Sequence, residues 1–273
     1  MQVDYAKLNL DDSTCREMDR LLSLPRGERS ELEQIWFLMD TVWDEYGCDN
    51  QHPEPEKFGA FYRHPVWLLH GLFQEHHEPS MQHRQAISDW IADAGFLSVV
   101  DYGGGFGTLA RLISAKNPEC RIDVYEPYQD ESVSRQLENT GRINAVRTLG
   151  RYDCLISTDV LEHVPDPLFH LAEMISAVRE NGFLIIANNF RPVVKCHLPH
   201  TFHLKYSFDF IVGRMGGRKV GNLSGSHATI YKKVKSVENA LKSARKYERI
   251  SRKLYPLLEG ILPMARGVRR MMR

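Results

Sequence analysis

Residues 99–107 read VVDYGGGFG, and no other stretch of the chain restricts its fold as tightly. Two β-branched valines lead into Asp101, glycines follow at 103, 105 and 107, and Thr108-Leu-Ala-Arg-Leu-Ile-Ser-Ala comes next. The pattern predicts a buried strand, a tight turn and the start of a helix. Glycine allows left-handed backbone and a close approach that a Cβ would block. The helix start adds free N–H groups and a positive dipole end. Such a turn receives a ligand at short range from the backbone. A dinucleotide fingerprint would need G-x-G-x-x-G. Counted from Gly103, its third glycine slot holds Thr108, which argues against an NAD-dependent oxidoreductase. The pattern present is Asp-x-Gly-x-Gly-x-Gly.

Three further segments follow in order. Residues 121–126 read RIDVYE, a strand ending in Glu126, whose carboxylate can accept both hydroxyls of a ribose. Residues 152–167 read YDCLISTDVLEHVPDP, and residues 182–189 read GFLIIANN. Taken together, over roughly residues 80–235, these segments resemble the class I S-adenosylmethionine (SAM) methyltransferases. The resemblance implies an α/β, Rossmann-like, doubly wound sheet of seven strands that binds SAM. Gly103, Gly105 and Gly107 would let the backbone pass under the methionine part and ribose. Asp101 would anchor the loop or bind the amino group, Glu126 would hold the ribose, and Asp159 would lie beside the cofactor. Strands are expected near 97–101, 121–126, 143–147, 153–157, 183–188, 218–222 and 226–233, the last two antiparallel. Helices are expected near 107–116, 130–139, 167–180 and 205–215.

Before this core, residues 28–46 place Leu32, Ile35, Trp36, Met39, Val42, Trp43 and Tyr46 at helical spacing. The run CDNQHPEPEKF reads as a loop. Residues after Pro65 and residues 84–94 read as further helices, the latter ended by Gly95. We therefore expect a helical cap over 1–95, a SAM-binding core over 96–235, and a basic helical tail over 236–273 in which Pro256 and Pro263 break the helix. The formal net charge of zero conceals an asymmetry. Residues 1–100 hold eight Lys/Arg against eighteen Asp/Glu, a net of −10, and residues 214–273 hold sixteen against three, a net of +13. The basic end reads as a solvated helix face, as a peripheral contact with anionic lipid, or as a nucleic-acid surface; sparse aromatics count against the last. No run reaches the ~18 apolar residues of a membrane span. The polar amino terminus does not read as a secretory signal, and five widely spaced cysteines read as reduced thiols in a cytoplasmic protein.

The chemistry is sought at the carboxyl edge of the sheet, where open α/β sheets bind ligands. The segment Asp159-Val-Leu-Glu162-His163 resembles the Leu-Glu-His-Val-Pro segment of quinone-biosynthesis O-methyltransferases. Its acid-x-x-Glu-His form also resembles the metal-binding segment of small-RNA 2′-O-methyltransferases. His197, His200 and His203 follow the fifth strand. A hydroxyl nucleophile needs a base or a metal to shed its proton. Two alternatives stay open: His163, His197 or His203 as general base, or Glu162, His163 and His203 holding a divalent cation. Tyr62 and His64 are candidates to close over cofactor or substrate, and Asn189 to touch substrate. Trp67 reads as packing between cap and sheet; His76, His77 and His83 read as surface residues. The resemblance implies O-methylation of a sugar, glycan or other small metabolite. Its alternatives are a quinol O-methyltransferase and a SAM-binding regulator without activity.

Overall fold

The computed structural model describes Tyr5 and residues 8–271, with side chains to residue 260. Seven strands form one sheet: β1 (Ser98–Tyr102), β2 (Arg121–Tyr125), β3 (Ile143–Val146), β4 (Tyr152–Thr158), β5 (Val178–Ala187), β6 (Gly217–Asn222) and β7 (Thr229–Lys233). Their order is β3-β2-β1-β4-β5-β7-β6. The strands β1 to β5 pair in parallel, and β7 runs antiparallel to both β5 and β6. The order reverses between β1 and β4, so the crossovers leave on opposite faces and a crevice opens at their carboxyl ends. This is the seven-stranded α/β sheet expected from the sequence.

Alternate residues of each strand point to opposite faces. Val99, Ile122, Ile156 and Ile185 join one buried cluster, and Val100, Leu155, Leu184 and Ile186 the other. Helices α6 (Thr108–Lys116), α7 (Glu131–Glu138), α8 (Pro167–Ala177), α9 (Leu204–Arg214) and α10 (Ala240–Met271) flank the sheet. Before it come α1 (Asp12–Ser23), α2 (Glu31–Glu45), α3 (Pro55–Tyr62), α4 (Val66–His76) and α5 (Glu78–Ala94). Met18, Ile35, Leu69 and Ile87 from four of these early helices lie in the same buried cluster as Val99 and Ile122. The amino-terminal helices are thus packed on the α6 side of the sheet. Among the described residues, no helix is long and apolar enough to cross a membrane. All five cysteines are free.

Four elements depart from the sequence expectation. Helix α1 buries just Met18 and Leu21, too few positions for a visible stripe, and is started by Asp11 accepting from the Ser13 and Thr14 N–H groups. Helix α3 begins inside the segment read as a loop: Pro55 fits its first turn, and Phe58 and Phe61 turn inward. The α8 stripe stops at Ala177, because Val178 already pairs with Tyr152 across an irregular start of β5. Helix α10 runs through Pro256 and Pro263 instead of breaking. Each proline removes one backbone hydrogen bond, while Ala244, Glu248 and Ser251 anchor the preceding turns by burial.

Candidate active site

A cavity of about 1690 Å³ opens over the carboxyl ends of β1, β2 and β4 and runs beneath the amino-terminal helices. Its floor is the glycine turn. Asp101, one residue before the end of β1, is 3% exposed. Gly103 has φ of +74°, and a Cβ there would lie 2.3 Å from Val160 Cγ2. Gly105 has φ of +49°, and a Cβ added to it would meet nothing within 4 Å, so it keeps the left-handed turn while leaving open space above it. Glu126 follows β2; its carboxylate accepts the Tyr128 N–H at 3.1 Å. The Gln129 amide donates to the Gly105 carbonyl at 2.8 Å, tying the two ligand-facing loops together. Burial raises the carboxyl of Asp101 to about 7, the Arg84 cation lowers it in part, and Glu126 raises it further. Burial likewise raises Glu126.

One wall is built by α5, the end of β4 and the β6–β7 turn. Asp159 follows β4 with φ of +54°, its N–H bonded to the Ala187 carbonyl at 2.9 Å. Its Oδ1 lies 3.6 Å from His227 Nε2. His227 stacks on His83 with ring centroids 4.3 Å apart, and His83 Nδ1 pairs with Ser226 Oγ at 2.6 Å. The Asp159 carboxylate raises the pKa of His227. Arg84, also on α5, donates to Ser80 O at 3.1 Å and to Gln74 Oε1 at 2.7 Å.

Beside Asp159 the same cleft gathers Glu162, His163 and His197. Their ligand atoms all lie within 4.8 Å of one another. Glu162 is fully buried; Oε1 accepts the Asn189 N–H at 2.6 Å, and Oε2 has no hydrogen-bond partner. His163 Nδ1 meets the Cys196 carbonyl at 3.2 Å and His197 Nδ1 meets the Arg191 carbonyl at 2.6 Å. Carbonyls accept, so both rings carry the proton on Nδ1 and present Nε2 as a lone pair. Burial lowers His163 to about 3 and lowers His197 as well. Burial and the Asp159 carboxylate raise Glu162. The roof is aromatic: Tyr62 stacks on Tyr128 at 5.6 Å and lies 5.2 Å from Trp67.

The structure brings most of the sequence candidates to this cleft and sends others elsewhere. Asp101, Gly103, Gly105, Glu126, Tyr62, Asp159, His163, Asn189 and His197 line it. A Cβ on Gly107 would lie 2.5 Å from Leu137 Cδ2, so that glycine serves the packing of α7. His64 also lines the cleft, with both ring nitrogens engaged by the protein: Nε2 lies 3.1 Å from Glu17 and Nδ1 accepts the Val66 N–H at 3.1 Å. His203 does not reach the metal-type cluster and is replaced there by His197. It begins α9 and its Nδ1 meets Ser251 Oγ of α10 at 2.9 Å. His83, read as a surface residue, is 8% exposed. The signal was available, since His83 stands four residues before Ile87 on the inward face of α5. Trp67 lines the cleft rather than the core alone. Arg84, Tyr128 and His227 carry no motif; the fold alone brings them in.

A family model described as a methyltransferase domain matches residues 73–210. The chain belongs to the class I SAM-dependent methyltransferases. Among solved structures, an O-methyltransferase family protein from Burkholderia thailandensis is 15% identical, with a TM-score of 0.51 over 75% of this chain and 71% of that one. Human N-acetylserotonin methyltransferase in complex with SAM is 18% identical, with a TM-score of 0.51 over 78% of this chain and 69% of that one. At such identities the likeness concerns the fold. No curated protein sequence matches the chain. The methyltransferase carries its glycine turn, Glu126 and the post-β4 segment inside one cleft.

Proposed function

We propose that this methyltransferase transfers the methyl of SAM to a hydroxyl oxygen of a sugar, glycan or other small metabolite. The observation that carries this reading is a carboxylate-held histidine, His227 beside Asp159, in the same cleft as the glycine turn. An alcohol is a poor nucleophile until its proton leaves. In the reaction the acceptor oxygen forms a bond to the methyl carbon, the carbon–sulfur pair passes to sulfur, and the proton goes to a base. With Nε2 facing Asp159, His227 offers Nδ1 for that proton. His163 is a weaker base, since burial holds it at about 3. Alignment of oxygen, methyl and sulfur supplies most of the remaining catalysis. Asp101 takes the methionine ammonium, Arg84 the carboxylate, and Glu126 the ribose. Asn189 and Tyr62 face the acceptor.

Glu162, His163 and His197 fit a divalent cation. Glu162 Oε2 is buried with no donor on it and with the Asp159 carboxylate as its neighbour, a pair of acids that a cation would relieve, and both imidazoles have Nδ1 pinned by backbone carbonyls, as ligating histidines do. Such a cation, when bound, would polarise the acceptor hydroxyl. A second reading, a quinol or other aromatic acceptor, is favoured by the Tyr62–Tyr128–Trp67 roof. Tritium-methyl SAM incubated with extract of a strain lacking the gene tests the reading. Label expected in a small-molecule or glycan fraction, stable to mild base as an ether is, supports it. Label in protein, in nucleic acid or as a base-labile ester overturns it. Label lost in EDTA and restored by Mn²⁺ supports the cation; full activity in EDTA removes it. No label anywhere, with SAM bound, would turn the reading to a regulator.

A further inference from the structure

Helix α10 has one face committed and another uncovered. Ala244, Glu248 and Ser251 are buried inward. Ser251 Oγ bonds the His203 carbonyl at 3.2 Å and Ser207 Oγ at 2.8 Å, and Glu259 takes Lys205 Nζ at 2.7 Å and Tyr206 Oη at 2.6 Å. These contacts fix the helix against α9. Turned away from α9 are Ile250, Leu254 and Leu257, 45%, 47% and 61% exposed. They stand at i, i+4 and i+7, one stripe about 10 Å long. Phe210 of α9, 48% exposed, continues it through its ring contact with Tyr247 at 5.0 Å. In the sequence the same spacing is kept by Ile261, Met264 and Val268.

Beside the stripe run Lys246, Arg249 and Lys253, all exposed. The acids of residues 240–273 are Glu248 and Glu259. Glu248 is held by Arg245 at 3.0 Å and Arg252 at 2.8 Å, and Glu259 by Lys205. The outer face therefore presents apolar side chains flanked by cations without a neutralising acid of its own helix. A second copy laid along this stripe would set lysine and arginine against lysine and arginine. A polyanion alone would leave the apolar stripe in water. An anionic bilayer satisfies both halves, with leucine and isoleucine in the acyl boundary and the cations among the headgroups.

We infer that the outer face of α10 docks the protein on an anionic lipid surface. The docking is independent of SAM chemistry, and its test needs no turnover. Co-sedimentation of the full chain would be measured with vesicles of phosphatidylcholine alone and with phosphatidylglycerol added at about 30 mol%. Binding is expected on the anionic vesicles, to be weakened by salt, and to be absent on the neutral ones. The triple variant Lys246→Glu/Arg249→Glu/Lys253→Glu should lose at least about tenfold in partition, since each basic residue near such a surface is worth about a fivefold change. Leu254→Glu/Leu257→Glu, at exposed positions outside the cleft, should do the same while SAM affinity stays unchanged. Equal binding to both vesicles, no binding, or variants that bind like the parent would overturn the inference. A dimer by light scattering that Leu254→Glu/Leu257→Glu dissolves would overturn it too, by giving the stripe to a second copy.

Discussion

Acidification from pH 8 to pH 6 should weaken the binding of SAM about tenfold, and the cause should be one carboxyl group. Asp101 is buried near the end of β1, and burial lifts its pKa to about 7. At neutral pH the free protein therefore holds about half a proton there. Binding places the ligand's ammonium beside the carboxylate, which favours the ionised form and expels the proton. If the bound carboxyl stays ionised, the dissociation constant scales with the factor 1 + 10^(7−pH). That factor is about 1.1 at pH 8, about 2 at pH 7 and about 11 at pH 6, so the change is ~1.4 kcal/mol. Titration calorimetry with S-adenosylhomocysteine at the three pH values measures it, and buffers of different ionisation enthalpy count the released proton. Burial raises Glu126 as well. The slope given by 5′-methylthioadenosine, which keeps the ribose and lacks the ammonium, is therefore subtracted. Asp101→Asn should bind more weakly and lose the difference in slope. A flat profile for S-adenosylhomocysteine, or an equal slope for the two ligands, would refute the assignment.

Gly103→Ala should abolish cofactor binding, because its Cβ would sit 2.3 Å from Val160 Cγ2 on a backbone with φ of +74°. Adding Val160→Ala should restore binding in part, leaving ~1–2 kcal/mol of left-handed strain, read as cofactor affinity and Tm. Asp159→Asn should move the acid limb of the kcat/KM profile to lower pH, since the carboxylate is what raises His227. His227→Asn should lower kcat/KM by ~10²-fold or more and remove that limb. His203 is held neutral, its pKa lowered to about 4 by burial first and Arg252 second. A depressed folded pKa means that its contribution is full above the unfolded value near ~6.5 and is lost as pH falls through the folded one. His203→Gln should flatten Tm between pH 6.5 and 4, by at most ~3 kcal/mol before solvent screening.

The sheet was legible because its signals are local. A β-branched run ending in Asp101, glycines at alternate positions and a helix stripe each lie within about ten residues. So do Glu126 at a strand end and Glu162-His163 after β4. Local backbone preference and hydrophobic period determine such elements without reference to the rest of the chain. Helix α1, with its two buried side chains, and α3, opening on prolines, left too little periodicity to read.

The far wall of the site was another matter. His227 stands about 68 residues beyond Asp159 in sequence; it meets Asp159 because β7 inserts antiparallel between β5 and β6 and turns at the sheet's carboxyl edge. His197 and His203 are six residues apart and chemically identical in sequence. The chain turns between them through Pro199–Thr201 and starts α9, so one ring enters the cleft and the other meets Ser251. Sequence by itself determined the strands, the glycine turn and the helices between the strands of the sheet, and the residue classes at the sheet edge, since these follow from the bonds and periodicity of neighbouring residues. Which histidine meets which carboxylate was decided by the tertiary structure alone, because burial and charge act through space between segments that the chain keeps far apart.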